Sequence, residues 1–122
     1  MELESEHFKA RELRCKCPLC KQEQPHKVDR TALERLEQLR ARVNRSLSLT
    51  SAYRCPKHPA EAKKAKPGQH ALGLAFDIAV SDGAQAYQLQ KAAYELGFNG
   101  IALGNGFVHV DIRKSTPVSW RY

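Results

Sequence analysis

The sequence predicts an α+β fold, with a small antiparallel-rich sheet, helices packed on one of its faces and the other face left open. Three observations lead there. Apolar residues recur at helical spacing in two stretches, Leu33, Leu36, Leu39 and Val43, then Ala86, Leu89, Ala93 and Leu96. Between and after these stretches the period drops to two, in Leu74, Phe76, Ile78 and Val80 and in Val108, Val110 and Ile112. The residues alternating with those rows include Asp77, His109, Asp111 and Arg113, so one face of the sheet is apolar and the other carries polar groups.

In chain order, residues 1–28 are polar and irregular apart from Phe8 and Leu13, and they carry Cys15, Cys17 and Cys20. With Cys55 or His26 these thiols would complete a structural zinc site; one or two disulfides, or free thiols in a reducing compartment, are the alternatives. Thr31 to Glu34 reads as a capping box that opens a helix over 30–44, with Asn44 as its stop. Leu47 to Arg54 reads as a strand ended by Cys55-Pro56. Arg54 then stands at a strand end, where a guanidinium can face a cleft, although a plain surface arginine has the same signature. Pro56 to Gly68 reads as a loop with a short helix at 59–65, and His58 within it as a surface histidine.

Gly73 turns the chain from His70 into the next strand, where the small neighbours Ala75 and Ala79 leave room above Asp77. Ser81-Asp82 caps a helix over 82–96 that Gly97 closes. Gly100–Leu103 and Phe107–Arg113 read as two strands joined by the turn Gly104-Asn105-Gly106. The tail is expected to fold back and bury Trp120.

The 122 residues have the size of one domain, 1–122, with 1–28 packed on it as a cysteine-containing N-terminal segment. No apolar run is long enough to cross a bilayer, and the charged start, Met1 to Glu6, does not read as a signal peptide. Cytoplasmic synthesis is the expectation, although a protein released by lysis could act outside a cytoplasm. Lys and Arg number 20 against 13 acids, a net charge of +7, which attracts anionic partners. The basic residues are scattered rather than massed among aromatics, which argues against nucleic acid and leaves anionic envelope polymers or a merely solvated surface.

His70 and Asp77 lie close together in sequence, and His109 follows on the polar face of a later strand. Two imidazoles and one carboxylate hold zinc at about 2.0–2.2 Å and leave a position for water, a recurrent hydrolytic set. A loop histidine at His70 with an ordinary His109–Asp111 surface pair is the plainer reading.

The motif His70-x-x-Gly73-x-Ala75-x-Asp77, preceded by Ser51-x-Tyr53-Arg54 and followed by Phe107-Val108-His109-Val110-Asp111, resembles the M15 zinc peptidases. The likeness is specifically to the small branch often found as phage-encoded endolysins and cell-wall carboxypeptidases, and it runs from about Phe8 to Trp120. It implies the α+β fold of D-Ala-D-Ala carboxypeptidases and hedgehog-like domains, and one catalytic zinc held by His70, Asp77 and His109. It also implies that Arg54 steadies the substrate carbonyl or carboxylate and the developing oxyanion. The implied activity is zinc-dependent hydrolysis of amide bonds in peptidoglycan stem peptides, of the D-Ala-D-Ala carboxypeptidase or L-Ala-D-Glu endopeptidase type. The protein is then expected to be a monomer that binds no nucleic acid, inserts in no membrane, and acts on the cell wall, in the periplasm or the wall itself, once released by lysis or exported by a partner.

The likeness has gaps. Many relatives carry an acid three residues before the last ligand, where this chain has Gly106; others carry a histidine two before it, where Phe107 stands; and a serine two before the first ligand is here Gly68. Asp111 is the nearest remaining carboxylate in sequence, nominated as general base or as an orienter of His109. Two rival functions follow. One is a non-catalytic, zinc-containing wall-binding or phage structural module, kept open by Gly106. The other is a zinc-ribbon nucleic-acid binder built on the four cysteines, for which no recognition helix is evident.

Overall fold

The computed structural model describes residues 2–122; Met1, where the expected domain and its charged start begin, lies outside the described residues. Four helices and five strands follow in the order α1 Ala10–Leu13, α2 Arg30–Val43, β1 Leu49–Ser51, α3 Pro59–Ala62, β2 Ala75–Ala79, α4 Gly83–Glu95, β3 Gly100–Leu103, β4 Phe107–Asp111 and β5 Val118–Arg121. The architecture is α+β with a mixed sheet.

Helix α2 is capped at Asp29, not at the Thr31–Glu34 box: the Asp29 carboxylate accepts from Ala32 N at 3.0 Å. An aspartate is as good a cap as a threonine, and the helix it opens carries the row Leu33, Leu36, Leu39 and Val43, all buried. Asn44 ends it in the left-handed region, φ 54°. Asp82 opens α4 by accepting from Gln85 N at 2.8 Å, and Ala86, Leu89, Ala92 and Ala93 form its buried side. Helix α3 is shorter than the expected 59–65, and His58 caps it by accepting from Ala60 N at 3.0 Å through Nδ1.

The sheet order is β1-β2-β4-β3-β5, antiparallel throughout except for the parallel pair β3–β5. The tail thus forms a strand, where the sequence predicted only a fold-back, and Trp120 within it is half-buried. Strand β1 stops at Ser51 rather than running to Arg54, because the backbone beyond it bonds elsewhere. Tyr53 N donates to Leu13 O at 3.1 Å, Arg54 N donates to His70 O at 3.4 Å, and the Ala52 carbonyl accepts from the His70 ring at 2.7 Å.

Strand alternation separates the two faces. Phe76, Ile78, Ile101, Val108 and Val110 join the leucines of α2 and the α4 side chains in one core, to which Phe8, Leu13 and Cys15 of the N-terminal segment also belong. On the opposite face the register lines up Ser51, Asp77, His109, Ala102 and Trp120 in one row across all five strands. Among the described residues no helix is long and apolar enough to cross a membrane.

Candidate metal centre

Asp77 and His109 are direct cross-strand partners. Residues so paired project from the same face about 5 Å apart, so the register alone brings the carboxylate to the imidazole. His70 arrives from the turn before β2, where Leu72 N donates to Gly68 O and Leu74 N donates to Gln69 O at 3.1 and 3.0 Å. The turn closes at Gly73, whose φ is +77°. Asp77 Oδ1 lies 3.2 Å from His70 Nε2 and 3.0 Å from His109 Nδ1. One potential ligand atom from each of the three residues falls within 4.8 Å of the others.

The proton positions decide what this trio can hold. His70 Nδ1 donates to the Ala52 carbonyl at 2.7 Å, which leaves Nε2 of the neutral ring as a lone pair aimed at Asp77. His109 Nε2 donates to Asp111 Oδ2 at 2.7 Å, which leaves Nδ1 as a second lone pair aimed at the same oxygen. All three residues are 4% exposed or less. Two nitrogen lone pairs facing a carboxylate oxygen, out of water, repel unless a cation lies among them.

Without a metal that cation is a proton. Burial disfavours charge on His109, but hydrogen bonds to Asp111 and Asp77 overcome this and raise its pKa. Burial likewise works against an ionised Asp77, yet His109 and His70 hold its carboxyl well below the usual range. An N2O donor set arranged to stabilise a buried cation fits zinc.

Asp111 is fully buried, with every acceptor direction in use. Oδ2 accepts from His109 and from Arg113 Nη2 at 2.7 Å, while Oδ1 accepts from Arg113 N and Nε at 3.1 and 3.0 Å. Burial opposes its charge, but His109 and Arg113 pull its pKa down to about 2. So saturated and sealed a carboxylate is well placed to set the His109 tautomer and poorly placed to take protons from a reacting water. Room for it comes from Gly100, its partner on β3, where a Cβ would lie 2.1 Å from Asp111 Oδ1.

Arg54 reaches the cluster from beyond β1. Its Nη2 donates to Asp77 Oδ2 at 3.2 Å, its Nε donates to Ser51 Oγ at 3.1 Å, and its Nη1 lies 3.7 Å from Glu61 Oε2. Beside it opens a cleft of about 380 Å³ lined by, among others, Lys27, Tyr53, Lys64 and Lys66. Glu61, at the same wall, accepts from Gly68 N at 3.1 Å and from Lys64 Nζ at 3.0 Å.

Several participants are invisible to motif reading. The Ala52 carbonyl has no residue-type signal, Gly100 resembles any strand glycine, and Glu61 sits in a segment with no sustained period. Trp120 and Tyr122 come to the site only through the parallel pairing of β5, which sets their rings 5.0 and 6.4 Å from that of His109.

His26 does not join the cysteines: its Nε2 bonds Leu3 O and its Nδ1 accepts from Val28 N. Cys55 does join them, and all four thiols are free and buried.

A family model described as Peptidase M15 matches residues 6–111, a span that contains His70, Asp77, His109, Asp111 and Arg54. No curated protein matches the chain.

Proposed function

The chain belongs to the peptidase M15 family, and from that premise we propose that it is a zinc-dependent hydrolase of amide bonds in peptidoglycan stem peptides, of the D-Ala-D-Ala carboxypeptidase or L-Ala-D-Glu endopeptidase type. The fold assigned with it is that of the D-Ala-D-Ala carboxypeptidase and hedgehog-like domains. The observation that carries the proposal is the convergence of His70 Nε2, His109 Nδ1 and Asp77 Oδ1 as three buried lone-pair donors. Zinc held there would supply Lewis acidity at the scissile carbonyl and a nucleophile at neutral pH.

The remaining work falls to the chain itself. Ala52 and Asp111 hold the two imidazoles in the tautomers that keep Nε2 and Nδ1 free. Arg54 contacts Asp77 from the cleft side, so its guanidinium is available to the substrate carbonyl or carboxylate and to the oxyanion that develops. The lysines of the adjoining cleft suit the carboxylates of a stem peptide, and the net charge of +7 favours approach to an anionic wall. Of the two roles open to Asp111, the orienting one suits its burial.

A second reading is a wall-binding or phage structural module that keeps zinc without catalysis. Its support is Gly106 where relatives carry an acid, together with the sealing of Asp111.

Purified murein separates the two readings. Incubation with the protein, followed by mass spectrometry, is expected to release stem-peptide fragments, and a chelator or His70→Ala is expected to abolish release. Arg54→Ala is expected to keep its zinc while kcat falls by roughly 10²–10³-fold, the cost of removing one oxyanion donor. Stoichiometric zinc with no fragments would support the structural module instead.

A further inference from the structure

The four cysteines take no part in the hydrolytic site, yet they form a second cluster of donors. Cys15, Cys17 and Cys20 follow α1, Cys55 directly follows Arg54, and their sulfurs all lie within 4.8 Å of one another. Cys17 Sγ is 3.4 Å from Cys20 Sγ and 3.6 Å from Cys55 Sγ. Four thiolates bound to one zinc at about 2.3 Å stand about 3.8 Å apart at the corners of a tetrahedron, close to this spacing. Paired disulfide sulfurs would lie at about 2.05 Å.

The backbone is shaped for the same purpose. Lys21 N donates to Cys17 O at 3.1 Å, which wraps the chain around the Cys17–Cys20 pair. Lys21 and Gln22 follow at φ 51° and 63°, two of the three non-glycine residues with positive φ among the described residues. Consecutive long side chains in that region are uncommon and persist where the surroundings over-determine the turn.

We propose that Cys15, Cys17, Cys20 and Cys55 bind one zinc ion as four thiolates in a closed structural site. Soft sulfur donors select zinc over magnesium or calcium, and four protein ligands leave no open position for a reacting water. The ion fastens the N-terminal segment to the stretch 52–55, already joined by the bond from Tyr53 N to Leu13 O. That stretch carries both the Ala52 carbonyl that orients His70 and the Arg54 guanidinium beside Asp77. The cysteine site therefore positions two parts of the other centre without touching it.

The test uses no activity measurement and stands apart from the hydrolytic reading. In the full-length His70→Ala/His109→Ala variant, metal analysis is expected to return one zinc per chain, against two in the unaltered protein. Zinc-edge X-ray absorption of that variant is expected to give four sulfur neighbours at about 2.3 Å. Titration with an organomercurial in the presence of a zinc indicator is expected to release the ion as the thiols react.

Adding Cys17→Ser and Cys20→Ser should bring the zinc to zero. Because these changes can also unfold the chain, cobalt(II) reconstitution of the histidine variant, with its cysteines intact, is the second readout, and a sulfur-to-cobalt charge-transfer band is expected. A folded histidine variant that holds no zinc, contains a disulfide, binds iron instead, or ligates zinc through nitrogen and oxygen overturns the proposal.

Discussion

Gly100 has no chemistry of its own, yet the position of a proton on His109 depends on it. An added methyl would lie 2.1 Å from Asp111 Oδ1 and 2.3 Å from its Cγ, forcing the carboxylate away from the imidazole. Gly100→Ala and Asp111→Asn are therefore both expected to weaken zinc binding at the His70, Asp77 and His109 centre by roughly 10–100-fold, the usual cost of disturbing a ligand's hydrogen-bond partner. Competition with a fluorescent chelator measures this, and wild-type affinity in both variants would remove Asp111 from the orienting role. The three donors are legible as candidates from residue type and spacing. The role of Asp111 is not, because base and orienter have the same sequence signature and differ only in burial and partners. Gly106, at φ +81°, serves the turn before β4, a backbone requirement that an acid at that position would strain.

Among the elements, the turn that delivers His70 is under the tightest constraint. Gly73 sits at φ +77°, a Cβ there would lie 2.0 Å from the Lys27 carbonyl oxygen, and its own carbonyl accepts from Asp29 N at 2.8 Å. Gly73→Ala is expected to cost at least about 1–3 kcal/mol from the backbone conformation alone, and to lower zinc affinity because the turn moves His70. Leu36→Ala, in the buried row of α2, is expected to cost about 2–5 kcal/mol while the folded protein binds zinc normally. Denaturant midpoints paired with zinc titrations distinguish the two; equal zinc affinity in both variants would show that the turn does not position His70.

Helices α2 and α4 and the β3–β4 pair are readable from period and caps, with ends one or two residues out; α3 stops three residues short of 65, and the four-residue α1 is missed because it lies in a stretch with no apolar period. Strand β1 is over-read because residues 52–54 bond to the His70 turn and to Leu13. Strand β5 is missed although Val118-Ser119-Trp120-Arg121 alternates apolar and polar residues, because four residues are too short a run to identify a strand and its place is set by parallel pairing with β3.

At the scale of the whole molecule, three glutamates outside the candidate metal centre tie peripheral segments to the body. Glu2 pairs with Arg14 and accepts from His26 N at 2.9 Å, Glu37 of α2 accepts from His7 N at 2.7 Å, and Glu61 holds the loop at Gly68. Arg14 and the His26 amide lower the Glu2 pKa to about 2. Burial opposes ionisation of Glu37 and Glu61, but Ser5 and His7 in the first case and Gly68 N and Lys64 in the second bring both below 4.5. A carboxyl whose folded pKa is depressed contributes stability above its unfolded value and loses it as pH falls through the folded value. Thermal midpoints followed by circular dichroism are therefore expected to decline as the pH falls from about 4.5 towards 2. A midpoint that rises on acidification below 4.5 would contradict this.

The sequence by itself determined the α+β class, most helix limits and the candidate donors, because residue type, period and capping are local properties that neighbouring residues carry. The tertiary structure alone decided the pairing of Asp77 with His109, the sealing of Asp111 over Gly100, the convergence of Cys55 with the three N-terminal cysteines and the return of Trp120 to the site. Each of these depends on register and packing between segments distant in the chain, where many weak contacts act together and no single residue signals the outcome.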